Sequence, residues 1–295
     1  MLQLVVKNEW LAQKLFRSAL CDRFVRYDLR ALSSFSDEEL IGYIYRRVGI
    51  HGGITKQTAQ NRFSDLDQKT AGLIAQQTDA SVHDVGVSSG ITSVELYTQL
   101  KAANVAPLQF SVSDRYAKFY TQTHGSQTDV FDADQRLQCS YLGPLYGDRH
   151  TSSKYPLSVW LHKRASAFDS DQAESFYLFH PKLLSLIEDK HINVLEYDVL
   201  TTRPETAYSY VRCMNLLNLS YFDKPQLLQG IANVRASLRS DGILQVGRTE
   251  QSGENHVGFY RNTASGLERI DQIGDGSEIH DLIEANNRPP HSLAS

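Results

Sequence analysis

The sequence predicts an α/β fold: an open, doubly wound, mostly parallel sheet with a terminal antiparallel hairpin, preceded by a helical N-terminal region. Three observations predict it. From Ser81 onward, short apolar runs alternate with helical patterns, the grammar of parallel strands joined by crossover helices. The first run ends in a turn of small residues that opens directly into a helix. The last two runs flank Asn262-Thr263-Ala264-Ser265-Gly266, which suits a hairpin connection.

Taken in order, Met1 to about Asp79 reads as helical. Trp10, Leu11, Leu15 and Leu20 recur on one face across Asn8 to Cys21, and Leu40, Ile41, Tyr43, Ile44 and Tyr45 do so across Ser36 to Val48. Ser36 followed by Glu39 has capping-box spacing, and Gly49 to Gly53 is a flexible joint. Strands follow at Ser81–Val85, Leu108–Ser113, Ile192–Tyr197, Ser209–Met214 and Gly242–Val246, with Val257–Arg261 and Leu267–Ile273 as the hairpin. Tyr120 to Phe176 breaks this rhythm and reads as an insertion. The expected division is therefore 1–79 helical, 80–286 core domain with an insertion at 120–176, and 287–295 a frayed tail.

A chain of 295 residues accommodates one large or two modest domains, and 41% hydrophobic with 22% charged residues is ordinary globular usage. No run approaches the roughly 18 apolar residues of a membrane span. Lys7, Asn8, Glu9 and Gln13 interrupt the N-terminus, which argues against a secretory signal. Cys21, Cys139 and Cys213 form no C-x-x-C pair, so a reducing cytoplasm is expected. A net charge of -4 disfavours nucleic acid as the principal partner.

The segment richest in chemistry is Ser81-Val82-His83-Asp84-Val85-Gly86-Val87-Ser88-Ser89-Gly90-Ile91-Thr92-Ser93-Val94-Glu95-Leu96. Small side chains let a ligand approach the backbone, glycine tolerates positive φ, and the helix start offers N–H groups to a polar or anionic guest. Thr92 and Glu95 have capping-box spacing. The competing reading is a tight turn without a ligand. Asp114 closes the second strand near the interval of about 20 residues at which dinucleotide folds place a ribose-binding acid. Asp198 closes the third, and Asn215 and Asn218 lie just past the fourth. Asp223-Lys224-Pro225-Gln226 then carries an N-cap acid, an early proline and a Gln three places on.

In these residues, over roughly 80 to 275, the chain resembles the class I, Rossmann-like S-adenosylmethionine-dependent methyltransferases. Asp84 stands at the acidic position of their first motif and Gly86 and Gly90 at its outer glycines. Ser88 stands where the middle glycine is often found, a departure from the pattern. The resemblance implies that Asp114 serves the cofactor ribose, Asp198 the adenine amino group and Val199 the adenine face. It implies S-adenosylmethionine as cofactor, S-adenosylhomocysteine as product and an unidentified, small-molecule acceptor. The fourth strand and its helix are loosely similar to the chemotaxis-receptor methyltransferases, but the spacing differs and the receptor substrate is not carried over.

Asn215 is a cofactor and catalytic candidate. His150 is a second catalytic candidate, within the group Asp148, Arg149, His150, Lys154, His162, Lys163 and Arg164, which also reads as a solvated face. His51 and Arg62 read as a loop preceding the core or as groups closing over the cofactor. No cluster has metal-ligand spacing, so no metal is expected, and Cys213 reads as buried packing. The N-terminal region is expected to act as lid, acceptor platform or dimer surface, making a homodimer one expected assembly. Two rivals stand: a nicotinamide-dependent oxidoreductase, disfavoured because G-x-G-x-x-G is absent, and a non-catalytic protein of the same fold.

Overall fold

The computed structural model describes residues 4–16, 25–50, 54–55, 59–77, 79–106, 108–148, 156–202 and 206–287. Its strands are β1 (Leu4–Val6), β2 (Val25–Tyr27), β3 (Gly49–Ile50), β4 (Ile54–Thr55), β5 (Ala80–Val85), β6 (Leu108–Ser113), β7 (Lys118–His124), β8 (Gln127–Asp132), β9 (Leu137–Leu142), β10 (Leu145–Asp148), β11 (Glu174–Tyr177), β12 (Asn193–Val194), β13 (Tyr208–Met214), β14 (Leu238–Thr249), β15 (Asn255–Thr263) and β16 (Gly266–Ile273). Its helices are α1 (Glu9–Leu15), α2 (Glu38–Tyr45), α3 (Ser64–Ile74), α4 (Ile91–Ala102), α5 (Pro156–Arg164), α6 (Pro181–Glu188), α7 (Lys224–Ala236) and α8 (His280–Asn286). No helix among the described residues is long and apolar enough to cross a membrane.

Two compact units result, Met1–Ala59 with Tyr116–Ser185, and Gln60–Arg115 with Leu186–Ser295. The bounds of these units differ from the division expected at residue 79. The first unit is a seven-stranded sheet in the order β11-β7-β8-β9-β10-β1-β2, antiparallel throughout except for β1 beside β2. N-terminal strands of three residues are too short to stand alone, so β1 completes a sheet begun by the insertion, pairing Leu4 with Leu145. The helices α1 and α2 supply Ala12, Leu40, Ile41 and Ile44 to its core beside Phe119, Val130 and Tyr141. The α2 cap is Asp37, whose side chain accepts from Leu40 N–H, while Glu9 accepts from the Ser36 and Asp37 N–H groups; the expected Ser36 capping box does not form.

The second unit carries the predicted α/β sheet in the order β12-β6-β5-β13-β14-β15-β16. The first five strands are parallel, and β14-β15-β16 runs on as an antiparallel meander. This is a doubly wound, Rossmann-like arrangement whose order reverses beside β5. The third strand is much shorter than Ile192–Tyr197, because the chain leaves the ladder after Val194. The fifth is longer than Gly242–Val246: the expected Ser240-Asp241-Gly242 turn is instead a bulge within β14, with Tyr208 opposite Leu238 and Tyr210 opposite Ile243. The α7 start matches expectation, with Asp223 and Gln226 in a reciprocal capping box and proline in its first turn. Leu227, Ile231 and Val234 pack from α7 onto Val211, Cys213, Leu244 and Val246. The buried Cys213 is therefore packing, as expected.

Candidate functional site

Between β5 and α4 the chain turns through three left-handed residues, Gly86 at φ 73°, Ser88 at φ 57° and Gly90 at φ 79°. The N–H groups of Gly86 and Val87 both donate to the Ser113 carbonyl, at 2.8 and 3.2 Å, and Gly90 N–H closes a turn on Val87. Gly90 caps α4 without any side-chain hydrogen bond. Thr92 lies inside the helix rather than at its cap, and Glu95 accepts from Asn61 N–H at 2.7 Å, so the second expected capping box is absent as well. An uncapped helix start leaves main-chain donors for a guest.

Asp114, at the end of β6, is brought to this loop. Its Oδ2 accepts the Ser88 N–H at 2.7 Å, which holds a non-glycine residue in a backbone region that costs about 1–3 kcal/mol. On the same edge, Arg115 lies 3.5 Å from Asp198. The remaining contacts of Asp198 are those of a turn residue: Oδ1 accepts Leu200 N–H, and its carbonyl accepts Thr201 and Thr202. The adenine role expected of Asp198 therefore gains no support from its carboxylate contacts. The side chain of Val199 is buried in the core with Leu217, Leu227 and Ile231.

The side chain of Asp84 lies inside the sheet, where Arg212 Nε donates to Oδ1 at 2.9 Å, Arg212 Nη2 to Oδ2 at 2.5 Å and Ser93 Oγ to Oδ2 at 2.6 Å. Arg212, 1% exposed, also donates to Asp67 on α3 at 2.8 Å and to the Thr92 carbonyl at 3.0 Å. Asp84 thus anchors a buried guanidinium that ties α3 and α4 to β5 and β13. A charge between Val211 and Cys213 in a strand buried on both faces was the available signal, since such a charge requires a partner.

With two carboxylates on one cation, one negative charge is in excess. Burial pushes the Asp67 carboxyl up to about 7, with Arg212 opposing and Asp84 and Glu95 reinforcing the rise. A carboxyl raised in the folded state contributes stability that is fully present below its unfolded value near 4 and is lost as pH rises through about 7. Asp67→Asn should therefore be more stable than the parent at pH 8, with a smaller stability change between pH 6 and 8. Equal changes in the unfolding free energy of parent and variant between the two pH values, read from urea titrations, would count against a proton on Asp67.

Gly86 needs its missing Cβ for an internal reason. A Cβ there would stand 2.9 Å from Leu216 Cδ2, so the side on which a side chain would project is taken by Leu216. Beyond β13, Asn215 adopts φ 58° and its Oδ1 accepts Thr249 N–H at 2.8 Å, joining the ends of β13 and β14. Its Nδ2 has no partner among the described residues. Asn218 spends its side chain on the loop, accepting from Ser220 and Tyr221 and donating to the Asn215 and Leu216 carbonyls. His150, Arg149, Lys154 and His51 lie outside the described residues. Of their group, His162, Lys163 and Arg164 form the last turn of α5, with Arg164 over the Trp160 ring.

The β14–β15 turn also brings Glu250, Glu254 and His256 within 4.8 Å of one another, a grouping that sequence spacing did not flag. His256 Nδ1 accepts the Asp275 N–H at 3.0 Å, so the neutral ring carries its proton on Nε2, the nitrogen facing Glu250.

No family model and no curated protein matches this chain. Among solved structures, it is similar to the N-methyltransferase NodS from Bradyrhizobium japonicum WM9 in complex with S-adenosyl-L-homocysteine (11% identity, 65% of each chain, TM-score 0.33). The chain thus spans just under two thirds of NodS. It is similar also to CalS10 with S-adenosylmethionine bound, an amino pentose methyltransferase from Micromonospora echinaspora (11% identity, 75% of this chain and 80% of that one, TM-score 0.34). A third is the Burkholderia thailandensis 1,6-didemethyltoxoflavin-N1-methyltransferase (12% identity, 77% and 70%, TM-score 0.34). Likenesses this distant assign no activity to this chain.

Proposed function

We propose that the chain binds S-adenosylmethionine at the carboxyl edge of its parallel sheet and transfers the methyl group to a small-molecule acceptor, releasing S-adenosylhomocysteine. The observation that carries this reading is the hydrogen bond from Ser88 N–H to Asp114. It sets a left-handed, uncapped strand-to-helix turn and a carboxylate side by side at the switch point of the sheet, where such folds take nucleosides. Asp114 would accept the ribose hydroxyls, the Gly86 to Gly90 main chain would face the cofactor, and the Asn215 amide would point donors at the reacting end. When bound, the cofactor supplies an electrophilic sulfonium methyl. The protein's part is to hold donor and nucleophile in line and keep water out, for which no triad or metal is required. The same proposal has the chain in the cytoplasm.

Calorimetry with S-adenosylmethionine, S-adenosylhomocysteine and NAD tests the cofactor. Binding of the first two and not of NAD is expected; binding of NAD alone, or of none, refutes the reading. Asp114→Ala should weaken S-adenosylhomocysteine binding by about 1–3 kcal/mol. Asp114→Asn separates two causes, because asparagine still accepts Ser88 N–H but accepts less from a ribose. Loss equal to that of Ala indicates direct contact, whereas full recovery would reduce Asp114 to a loop support.

A further inference from the structure

Arg62 stands out among the basic side chains of the second unit. Its Nε donates to Thr249 Oγ1 at 3.1 Å, and its carbonyl accepts from Asn255 Nδ2 at 3.3 Å, so both its ends are pinned to the β14–β15 hairpin. Thr249 in turn donates its N–H to Asn215, placing the guanidinium one residue away from the proposed reacting edge. The side chain is half-buried, and burial lowers its pKa from the ordinary arginine value, opposed only by the nearby Tyr221 phenol. No carboxylate pairs with it among the described residues. A partly desolvated, immobilised guanidinium without a counter-ion is poised for an anion, which it can grip with two parallel N–H bonds. Arg248, beside Thr249 on β14, provides the contrast, since Glu250 and Glu278 already neutralise it at 3.1 and 2.6 Å.

Beside Arg62 stands Tyr221, 68% exposed, in a loop that also carries Leu219, 58% exposed, and whose backbone is held by Asn218 and Glu278. An exposed aromatic ring next to an unpaired cation, with a leucine exposed in the same loop, fits a ligand with an aromatic body and a negative end. We propose that this edge is the acceptor subsite, with Arg62 binding the carboxylate of an anionic aromatic acceptor and Leu219 and Tyr221 covering its ring. The assignment rests on the cofactor reading above for the word acceptor; anion binding by Arg62 does not.

Fluorine NMR titrations of the full chain, saturated with S-adenosylhomocysteine, with 4-fluorobenzoate and its neutral isostere 4-fluorobenzamide test it. Saturable binding of the benzoate is expected, weakened about tenfold by Arg62→Gln and severalfold by Tyr221→Ala, with the benzamide binding no better than the benzoate does to Arg62→Gln. Tyr221 is exposed, so its variant keeps the fold whatever Arg62 does. Equal binding of acid and amide, or a benzoate affinity unchanged by Arg62→Gln, overturns the proposal. It is overturned as well if Arg62→Gln weakens S-adenosylhomocysteine tenfold and leaves 5′-methylthioadenosine unaffected, because the guanidinium then serves the carboxylate of the cofactor. If the parent chain binds no S-adenosylhomocysteine, the cofactor reading fails, and the same titration without it still decides the anion site.

Discussion

Arg212→Met is expected to destabilise the second unit by about 3–5 kcal/mol, the usual cost of removing one member of a buried ionic group. Methionine fills much of the volume but leaves Asp84 and Asp67 facing each other without a cation, and leaves the Thr92 carbonyl without its donor. Amide hydrogen exchange along β5 and β13 reads the loss where it occurs. Protection falling by several orders of magnitude is the expected result. Combining Arg212→Met with Asp67→Leu and Asp84→Leu should recover much of the loss, since well-packed apolar replacements of buried ion groups are often neutral or stabilising. A single-variant cost below about 1 kcal/mol would show the triad to be solvated.

Gly86→Val should cost about 2–4 kcal/mol and abolish cofactor binding together with the fold of the loop. Two causes add here. A β-branched residue must adopt φ 73°, and its Cβ must displace Leu216 from 2.9 Å. Thermal unfolding of the free chain separates this from a purely ligand-facing role, in which the melting point would stay put while affinity vanished. Gly86→Val with Leu216→Ala should regain part of the packing loss but none of the backbone strain, so recovery should be incomplete; complete recovery would mean the left-handed conformation costs nothing.

Local grammar carried the α/β half of the molecule. The glycine-rich turn, the capping box at Asp223 and the closing hairpin are all signalled within a few residues, because turns and caps are short-range hydrogen-bond patterns. The antiparallel sheet of the other unit was harder to see. Lys118–His124 and Gln127–Asp132 flank Gly125-Ser126, a hairpin signal masked by the many polar side chains that alternate there. The N-terminal strand β1 joins this sheet through β10, more than a hundred residues away, and a pairing at that distance leaves no periodic trace in either segment.

At the site, the order of strands, loop and acids was legible, while the use of each side chain was not. Asp84 and Asp114 are both acids at or near a strand's carboxyl end, equivalent as sequence. Only tertiary structure separates them, by setting Arg212 from another strand against the first and the Ser88 main chain against the second. Val199 and Leu216 follow the same logic, apolar residues whose neighbours come from α7 and β5. The sequence by itself determined the strands, glycine-rich turn and closing hairpin of the parallel-sheet unit, since those depend on near-neighbour backbone physics. Which carboxylate is consumed inside the protein and which is left at its edge was decided by packing, because a buried charge takes whatever counter-charge the folded chain brings within reach.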